Sequence, residues 1–396
     1  MRIAILNGSL SWGGVGRYSL AVVKGLAMKT DAEVDWVLFQ SGGALRSEIP
    51  GYVNIIDLKG YGRRGIQGLR NFLLYMPYSP LVRYLREGKP DIVLGITGSS
   101  NLPAVLLRGL YRLPFITVLT EHSVTSERNR ISRQIGSNSG IGSWARMAVR
   151  RLLYPCADYI VGVSNAVTND LLRLGMARSE ASGVIHNPVV DEGFEKKLQE
   201  PVSYAWFTEA EPPVILYLGR IDKVKSVHTI VRAFHILRTK LRVRARLMIV
   251  GDGDGDDGEK LRVEKLVQEL GLASEVRFEP VQKNPFPYVK ASSLLVLSSL
   301  YEGFGNVVAE ALACGTNVVS TDCGGPRDIL EDGKYGWLVP VGNVEAFALA
   351  MKDALEHPKP EEFLRKRGRV FSVENAANAY YDLFCDLLAK RGAKAS

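Results

Sequence analysis

The sequence predicts an α/β protein made of two doubly wound parallel sheets. Short runs rich in β-branched residues alternate with longer amphipathic stretches, and strands separated by helices in this way usually pair in parallel. The alternation pauses near residue 195 and begins again near residue 212. The 396 residues also exceed the roughly 250–300 at which a single hydrophobic core stops growing, so we expect two domains.

Each half of the chain carries its own set of apolar runs that predict buried strands. In the first half these runs are Arg2–Leu6, Val34–Phe39, Asp91–Ile96, Phe115–Leu119 and Tyr159–Val163. In the second half they are Val214–Leu218, Ala245–Val250, Glu275–Glu279, Leu294–Leu297 and Asn317–Ser320. Val15–Met28 and Ile66–Leu85 read as helices of the first set, and Val373–Lys390 reads as a long amphipathic helix.

The stretch 195–212 mixes charged residues with prolines and is a plausible linker. We therefore place an N-terminal domain at 1–195, a C-terminal domain at 212–372 and a final helical segment at 373–396. The net charge of +8 attracts nucleic acid, anionic lipid or phosphorylated ligands without choosing among them. The four cysteines form no C-x-x-C pair, so neither a disulfide framework nor a zinc site is expected.

The chain shows no targeting or membrane-spanning pattern. The apolar run at its start is too short for a signal-peptide core, and no run reaches the 18 or more apolar residues that predict a transmembrane helix. We expect a cytoplasmic protein that can still contact a membrane surface.

Ligands of doubly wound sheets bind at the carboxyl ends of the strands, so functional residues are expected in the loops there. The loop after the first strand is rich in glycine: Gly13, Gly14 and Gly16 let the backbone approach a ligand, and the following helix N-terminus favours an anion. The loop lacks the G-x-G-x-x-G pattern, so a dinucleotide site is not supported. A plain strand–helix turn remains the alternative.

Two loops of the second half carry charged residues. Gly219 ends a strand, and Arg220 and Lys225 follow; a guanidinium and an ammonium at this place suit a diphosphate, although a solvated basic loop is as good an explanation. Glu302 follows another strand and precedes a helix that carries Glu310. Carboxylates accept bonds from sugar hydroxyls, and the helix amides can meet phosphate oxygens. Helix capping is the alternative explanation of the glutamates, but it explains the two adjacent glycines less well.

Taken together, these motifs resemble the GT-B glycosyltransferases of family 4. That family has an E-x7-E motif in an E-G-F-G context, here Glu302 to Glu310, and a G-R-x-x-x-x-K loop, here 219–225. It also has a G-D-G turn after a strand, here 251–253, and a double glycine in its first loop. The resemblance implies two Rossmann-like domains facing a central cleft, with the C-terminal helix crossing back to the N-terminal domain.

The resemblance also implies roles for single residues. The donor-binding set becomes Gly14, Gly219, Arg220, Lys225, Glu302, Gly303, Phe304, Gly305, Asn306, Val307 and Glu310. Within it, Glu310 would bind the ribose, Glu302 the transferred sugar, and Arg220 and Lys225 the leaving diphosphate, while the amides of 304–307 would contact sugar and phosphate. His122 matches a histidine of the reaction centre, so the catalytic set is His122, Arg220, Lys225 and Glu302; a structural histidine is the alternative.

Family enzymes of this kind retain the anomeric configuration without a metal, so we expect a nucleotide sugar, UDP-linked, as co-substrate and no cofactor. The acidic tract 251–259 fails the calcium-loop pattern, and no metal is expected there. The chain departs from the family in reading GGVGR in its first loop and in having Ser226 where glycine is usual. Ser226 could cap the next helix.

Two basic amphipathic segments in the N-terminal half, 61–89 and 128–151, suggest contact with anionic lipid and hence a glycan or lipid-linked acceptor. The arginines of the second segment are Arg128, Arg130, Arg133, Arg146, Arg150 and Arg151. An ordinary surface helix and loop is the alternative. The acceptor, a polyprenyl-diphosphate oligosaccharide, a lipopolysaccharide core or an exopolysaccharide intermediate, stays open, as does the oligomeric state.

Three other functions are alternatives to glycosyl transfer. A Rossmann oxidoreductase would need the missing glycine fingerprint, and a nucleic-acid-binding protein would need clustered base-stacking aromatics or a docking module, so no nucleic acid is expected as a partner. A nucleotide-sugar epimerase shares the GT-B layout and is the serious alternative. It would need further acid and base residues that the sequence does not let us place.

Overall fold

The computed structural model describes residues 1–10, 13–40, 42–58, 80–134, 141–202, 204–208, 212–253 and 258–395. The chain divides into two compact units. The first comprises Met1–Ser126, Asn138–Pro188 and Val373–Ser396, and the second comprises Glu127–Ser137 and Val189–Ser372.

The first unit contains a seven-stranded parallel sheet in the described part of the chain, with strand order β3-β2-β1-β4-β5-β6-β7. Its strands are β1 (Arg2–Ser9), β2 (Glu33–Gln40), β3 (Asn54–Asp57), β4 (Ile92–Gly95), β5 (Ile116–Glu121), β6 (Tyr159–Gly162) and β7 (Ser182–Val184). The α-helices along residues 1–188 are α1 (Gly14–Ala27), α2 (Pro80–Gly88), α3 (Gly98–Tyr111), α4 (Thr125–Gln134), α5 (Ile141–Leu153) and α6 (Asn165–Arg173).

The second unit contains a six-stranded parallel sheet among the described residues, in the order β10-β9-β8-β11-β12-β13. Its strands are β8 (Val214–Leu218), β9 (Arg246–Val250), β10 (Val276–Glu279), β11 (Leu294–Leu297), β12 (Asn317–Thr321) and β13 (Trp337–Val339). Its helices are α7 (Phe194–Leu198), α8 (Ala205–Thr208), α9 (Val227–Thr239), α10 (Glu259–Glu269), α11 (Phe286–Ala291), α12 (Asn306–Cys314), α13 (Gly325–Ile329), α14 (Val344–Glu356) and α15 (Glu361–Arg369).

In both sheets the strand order reverses next to the first strand. In the second unit β8 lies between β9 and β11, so the chain runs outward from β8 in one direction and then returns to build the other side. The carboxyl ends of β8 and β11 therefore form the switch point at which such sheets bind ligands. The central strands are buried on both faces, as parallel sheets covered by helices require.

The last helix, α16 (Val373–Ala395), belongs to the first unit and packs along α1. The hydroxyls of Tyr18 on α1 and Tyr380 on α16 share a buried hydrogen bond of 2.5 Å. Close packing is possible because Gly25 of α1 has no side chain: a Cβ there would lie 2.7 Å from the Cβ of Ala377. The family-derived expectation that this helix returns to the N-terminal domain agrees with this packing.

The linker predicted at 195–212 is wrong, because its described residues, 195–202, 204–208 and 212, belong to the second unit. That unit begins at Val189, whose N–H donates to the carbonyl of Phe371 at 2.8 Å. Within the stretch, the ring of Phe207 on α8 packs edge-on against Tyr288, with centroids 5.7 Å apart. The mixed charge and proline content of the segment hid the apolar residues that anchor it.

Other differences concern short elements. β3, β7 and β13 were not predicted; each has only three or four residues and lies at or near a sheet edge, where apolar patterning is weakest. Most of the helix predicted at 66–85 lies outside the described residues, and α2 begins at Pro80. Within the described ranges, no helix is both long and apolar enough to cross a bilayer.

Candidate functional site

Three of the predicted residues meet at the switch point of the second unit. Arg220 and Lys225 follow the carboxyl end of β8, and Glu302 follows that of the neighbouring strand β11. The two loops are joined by backbone, since the N–H of Leu300 donates to the carbonyl of Val224 at 2.8 Å. The hydroxyl of Ser298 adds bonds to the carbonyls of Lys225 and Ser226.

Lys225 and Glu302 form a half-buried ion pair at the centre of this site. The Lys225 Nζ lies 2.5 Å from the Glu302 Oε1, and the two side chains are 20% and 14% exposed. Burial alone would lower the pKa of the Lys225 ammonium, but the Glu302 carboxylate and Asp222 outweigh it, so this pKa is raised. Lys225 is therefore a fixed positive charge at neutral pH, and Ser299 holds the same Glu302 oxygen by a 2.7 Å bond.

Asp222 organises the two cations and was not singled out in the sequence. Its Oδ2 pairs with a guanidinium nitrogen of Arg220 at 3.1 Å, and its Oδ1 accepts the backbone N–H of Lys225 at 2.9 Å. Asp222 is buried, whereas the Arg220 side chain is 59% exposed and can reach a ligand. Aspartate is common between a strand and a helix, so the role of Asp222 is visible only from its contacts in the folded protein.

The loop from Glu302 to Gly305 is shaped by its contact with the loop after β12. The N–H of Glu302 donates to the carbonyl of Cys323 at 2.8 Å, and the Gly325 N–H returns a bond to the carbonyl of Glu302 at 3.2 Å. A Cβ at Gly325 would lie 2.3 Å from the Cα of Phe304, so only glycine allows this approach. Gly305 has φ 96°, a left-handed conformation that glycine adopts without strain.

Helix α12 begins at Asn306 and Val307 directly after this loop, and its first turn favours negative charge. Glu310 lies one turn further along and is 8% exposed. The Phe304 ring is buried and packs edge-on against Phe371, with centroids 5.5 Å apart. Phe304 and its neighbour Gly303 can therefore offer a ligand only their backbone.

Ser226 occupies the N-cap position of α9, but its hydroxyl makes no capping bond to a helix amide. It instead shares a 2.9 Å bond with the Thr229 hydroxyl. The predicted side-chain cap is therefore wrong, because the residue has φ 52° and ψ 42°, outside the extended conformation that a capping serine needs. The family glycine at this position would adopt that conformation without strain.

Gly219 lies at the start of the same loop, and its backbone packs closely against Gly251 of the G-D-G turn. Its carbonyl would be only 1.9 Å from a Cβ at Gly251, and its N–H donates to the carbonyl of Val250 at 3.1 Å. Residues 254–257, which hold three of the five acidic residues of the tract 251–259, lie outside the described ranges. Among the residues that are described, no three His, Cys, Asp or Glu are grouped to hold a metal.

His122 belongs to the first unit, directly after β5. Its Nε2 lies 3.1 Å from the hydroxyl of Thr120, and the ring of Tyr18 packs edge-on at a centroid distance of 4.5 Å. Burial lowers the pKa of His122 to about 4, and a bond to the Ile96 backbone opposes the shift only in part. The imidazole is thus neutral at pH 7.

Gly14 is the first residue of α1 and is exposed, at the carboxyl end of β1. The neighbouring residues 11 and 12 lie outside the described ranges. The structure thus brings together Arg220, Lys225, Glu302 and the start of α12 in the second unit. It places His122 and Gly14 in the first unit, each after the carboxyl end of a strand, with Gly14 opening helix α1.

One arginine of the predicted basic segment 128–151 is not available at the surface. Arg150 is buried beneath β5 in an ion pair with Glu121, each side chain being 9% exposed, and it stacks over the Tyr154 ring at 4.7 Å. Its inclusion among lipid-facing charges is wrong, because α5 turns this face toward the sheet. The part of segment 61–89 before residue 80 lies outside the described residues.

Two family profiles match the chain, one over each half. Residues 12–192 match Glycosyltransferase Family 4, and residues 204–371 match Glycosyl transferases group 1. Among curated proteins, the chain is 33% identical over 185 residues to the lipopolysaccharide core biosynthesis glycosyltransferase LpsE of Rhizobium meliloti, covering 46% of this chain and 52% of that protein.

A second curated relative is a transferase from Campylobacter jejuni. It is the N-acetylgalactosamine-N,N'-diacetylbacillosaminyl-diphospho-undecaprenol 4-alpha-N-acetylgalactosaminyltransferase, 30% identical over 219 residues, which cover 55% of this chain and 56% of that enzyme. The chain thus spans about half the length of these relatives. Among solved structures, Anabaena HepE in complex with UDP superposes with a TM-score of 0.75 at 19% identity, over 98% of this chain and all of that one.

The paired parallel sheets, the match of one family profile to each half and the shared fold agree with one another. The chain belongs to the GT-B glycosyltransferases of family 4.

Proposed function

We propose that this protein transfers a sugar from a nucleotide diphosphate sugar to a glycan or lipid-linked acceptor, with retention of anomeric configuration and without a metal. The observation that carries the proposal is the cluster at the carboxyl ends of β8 and β11. There Arg220, Lys225 and Glu302 lie beside the N-terminus of α12. Fixed cations, helix amides and a carboxylate are the groups that a diphosphate joined to a sugar requires.

The charges suggest how the donor would bind. Without donor, Glu302 neutralises Lys225 and Asp222 partly neutralises Arg220. A diphosphate brings more negative charge than either carboxylate and would take over both cations. Glu302 would then be free to accept bonds from sugar hydroxyls, and Glu310 on α12 would accept those of the ribose.

The proposed mechanism follows from the place at which negative charge develops as the donor's glycosidic bond breaks. The bond between the anomeric carbon and the phosphate oxygen breaks, and its electron pair goes to the β-phosphate, where Arg220 and Lys225 stabilise it. The acceptor oxygen forms the new bond on the same face and passes its proton to the departing phosphate oxygen. His122, neutral at pH 7, is proposed as a hydrogen-bonding group at the sugar rather than as an acid.

The substrates are proposed from the relatives and from the site. HepE was solved with UDP, which makes a UDP-sugar the first donor to test. LpsE is named for lipopolysaccharide core synthesis and the Campylobacter jejuni enzyme for a diphospho-undecaprenol substrate, so we propose an acceptor in cell-surface polysaccharide or glycolipid assembly. The epimerase alternative gains no support from these two relatives, both named as transferases.

The test is a panel of UDP-, GDP- and ADP-sugars in which release of the nucleotide diphosphate is measured with and without a chelator. We expect one nucleotide class to be hydrolysed slowly without acceptor, equally well in EDTA, with the sugar released as its retained anomer by NMR. Hydrolysis that EDTA abolishes would contradict metal independence. An inverted anomer would contradict retention, and conversion of the donor to its epimer would favour the alternative.

We also propose that the first unit contacts an anionic membrane surface. Helices α3 and α5 pack together and expose apolar side chains: Leu110 is 64% exposed on α3, and Leu152 is 74% exposed on α5. Arg146 and Arg151 on α5 are exposed near Leu152 along the helix. Apolar and basic groups combined in this way favour the interface of anionic lipid.

Flotation with vesicles containing phosphatidylglycerol tests this surface. The chain should float at low salt, and a Leu110→Ser, Leu152→Ser variant should float several-fold less. Leu261→Ser removes a leucine that is 71% exposed on α10 of the other unit and serves as the matched control. No flotation of the unaltered chain, or equal loss in the control, would contradict the surface.

A further inference from the structure

The hydroxyl of Thr120 lies between the end of β4 and the imidazole of His122. Thr120 is a buried residue of β5, two positions before His122. Its Oγ1 lies 2.9 Å from the carbonyl oxygen of Ile96, 3.1 Å from that of Gly95 and 3.1 Å from the His122 Nε2. The Thr120 carbonyl accepts a 2.8 Å bond from the side-chain amide of Asn101, which holds the residue in place.

The number of protons available sets the direction of these bonds. At pH 7 the imidazole carries one proton, because burial lowers the pKa of His122 to about 4. A hydroxyl has one proton, and a backbone carbonyl can only accept. If Thr120 donated to the imidazole, both carbonyl oxygens would face lone pairs of its oxygen with no proton between them.

The opposite arrangement satisfies more of the three contacts. When the Thr120 hydroxyl donates to the carbonyls, as its distances to Ile96 and Gly95 allow, its lone pairs face the His122 Nε2. A hydrogen on Nε2 can then donate to them. Because unmade hydrogen bonds of buried groups are costly, this arrangement is favoured and Nε2 carries the proton.

Two tyrosines set the plane of the same imidazole. The Tyr18 ring packs edge-on against His122, with 4.5 Å between the centroids and 72° between the planes. The Tyr18 hydroxyl shares its 2.5 Å bond with Tyr380 on α16, so the ring of Tyr18 cannot turn away without breaking a buried hydrogen bond. Thr120 therefore acts on a ring whose orientation is already restricted.

We propose that Thr120 is a positioning residue that holds His122 in its Nε2–H tautomer. Nδ1 then has a lone pair and no proton, so it can accept a hydrogen bond but cannot donate one. Any substrate group that contacts Nδ1 must be a donor, such as a sugar hydroxyl. The identity of the substrate rests on the proposed function, whereas the tautomer is a property of the chain alone.

NMR of the full chain with ¹⁵N-labelled histidine tests the tautomer at pH 7, because two-bond ¹H–¹⁵N correlations distinguish a protonated from an unprotonated ring nitrogen. The chain has five histidines, and the signals of His122 are those absent from His122→Gln. We expect one tautomer, with its proton on Nε2 and slow exchange of that proton with solvent. A proton on Nδ1, or a mixture of the two tautomers, would overturn the proposal.

Three variants separate positioning from packing. Thr120→Val keeps the shape of the side chain and removes the hydroxyl, so the Nε2 proton should exchange rapidly and kcat for donor hydrolysis should fall at least about tenfold, with a smaller change in KM. Thr120→Ser keeps the hydroxyl and should preserve both properties. Thr117→Val is the matched control, since Thr117 is buried on the same strand and its hydroxyl has no partner among the described residues. It should match the unaltered chain.

Several results would count against the role of Thr120. A protected Nε2 proton in Thr120→Val would show that the hydroxyl does not hold the tautomer. Equal losses in Thr120→Ser and Thr120→Val would assign the effect to packing, and an unchanged kcat in Thr120→Val would separate the tautomer from the reaction. If Thr120→Val does not fold, the spectrum of the unaltered chain still decides. If the unaltered chain hydrolyses no nucleotide sugar, the proposed function fails and the same spectrum decides the tautomer.

Discussion

His122 shows how burial sets the chemistry of one residue. Its imidazole lies between the Thr120 hydroxyl and the Tyr18 ring, and burial lowers its pKa to about 4. In the unfolded chain the imidazole has its ordinary pKa of about 6.5. The stabilisation from the neutral ring is therefore complete above about pH 6.5 and declines as the pH falls toward 4.

We expect the free energy of unfolding to fall between pH 6.5 and 4 by at most roughly 3 kcal/mol from this group. A His122→Gln variant should lose that part of the pH dependence and give a flatter curve. Urea unfolding at several pH values measures the difference. Parallel curves for the two proteins would show that His122 titrates normally.

Ser226 adopts a left-handed conformation without a capping bond, and this strain predicts how it tolerates substitution. A left-handed residue with a Cβ costs about 1–2 kcal/mol, and a β-branched side chain suffers most. Ser226→Gly should therefore keep or raise the free energy of unfolding, whereas Ser226→Val should lower it by about 1–2 kcal/mol. Equal losses in the two variants, measured by urea unfolding, would show that the Thr229 bond matters more than the backbone.

Some residues of the site could be predicted from the sequence and others could not. Arg220 and Glu302 stand beside glycines just after predicted strands, and Lys225 follows Arg220 in the same loop, so position and chemistry coincide. Asp222 and Ser299 act through those residues, by holding a guanidinium and a carboxylate, and short polar residues in loops carry no signal of such a role. Their contribution follows only from distances.

At the scale of elements, the contact between the loops after β11 and β12 depends on Gly325. A Cβ there would overlap the Phe304 backbone, so the loop that presents Glu302 to α12 would have to move. We expect Gly325→Ala to lower the free energy of unfolding by about 1–3 kcal/mol and to reduce donor hydrolysis.

Gly392→Ala is the matched control for Gly325→Ala, because a Cβ at Gly392 in α16 meets nothing within 4 Å. It should leave donor hydrolysis unchanged and keep or slightly raise the free energy of unfolding, since alanine is the better helix former. If Gly325→Ala behaved like this control, the loop would be free to adjust and the close approach would not shape the site.

The elements predicted best were those with a long apolar pattern. β8 and β11 have the predicted bounds, and α16 begins at the predicted residue. Short edge strands such as β13 could not be predicted, since three residues carry too little pattern. The segment that contains α8 was misread as a linker, because composition does not reveal the packing partners of a ring such as that of Phe207.

At the scale of the whole molecule, the alternation of strands and helices predicted the fold class, and the order of strands within each sheet came only from the structure. That order matters for function, since it makes β8 and β11 neighbours and so brings the GR-x4-K loop to the E-G-F-G loop. Residues 77 positions apart, Lys225 and Glu302, become an ion pair as a result. We propose that this pairing holds a cation in place for the departing diphosphate.

The most direct measurement compares kcat and KM for the donor in Lys225→Ala with those in the unaltered chain and in Lys290→Ala, which removes an exposed lysine of the same unit. We predict that Lys225→Ala lowers kcat by about 100-fold or more, as loss of a group that stabilises developing charge does, and changes KM by less. Lys290→Ala should match the unaltered chain. An unchanged kcat in Lys225→Ala, with only KM raised, would contradict the claim.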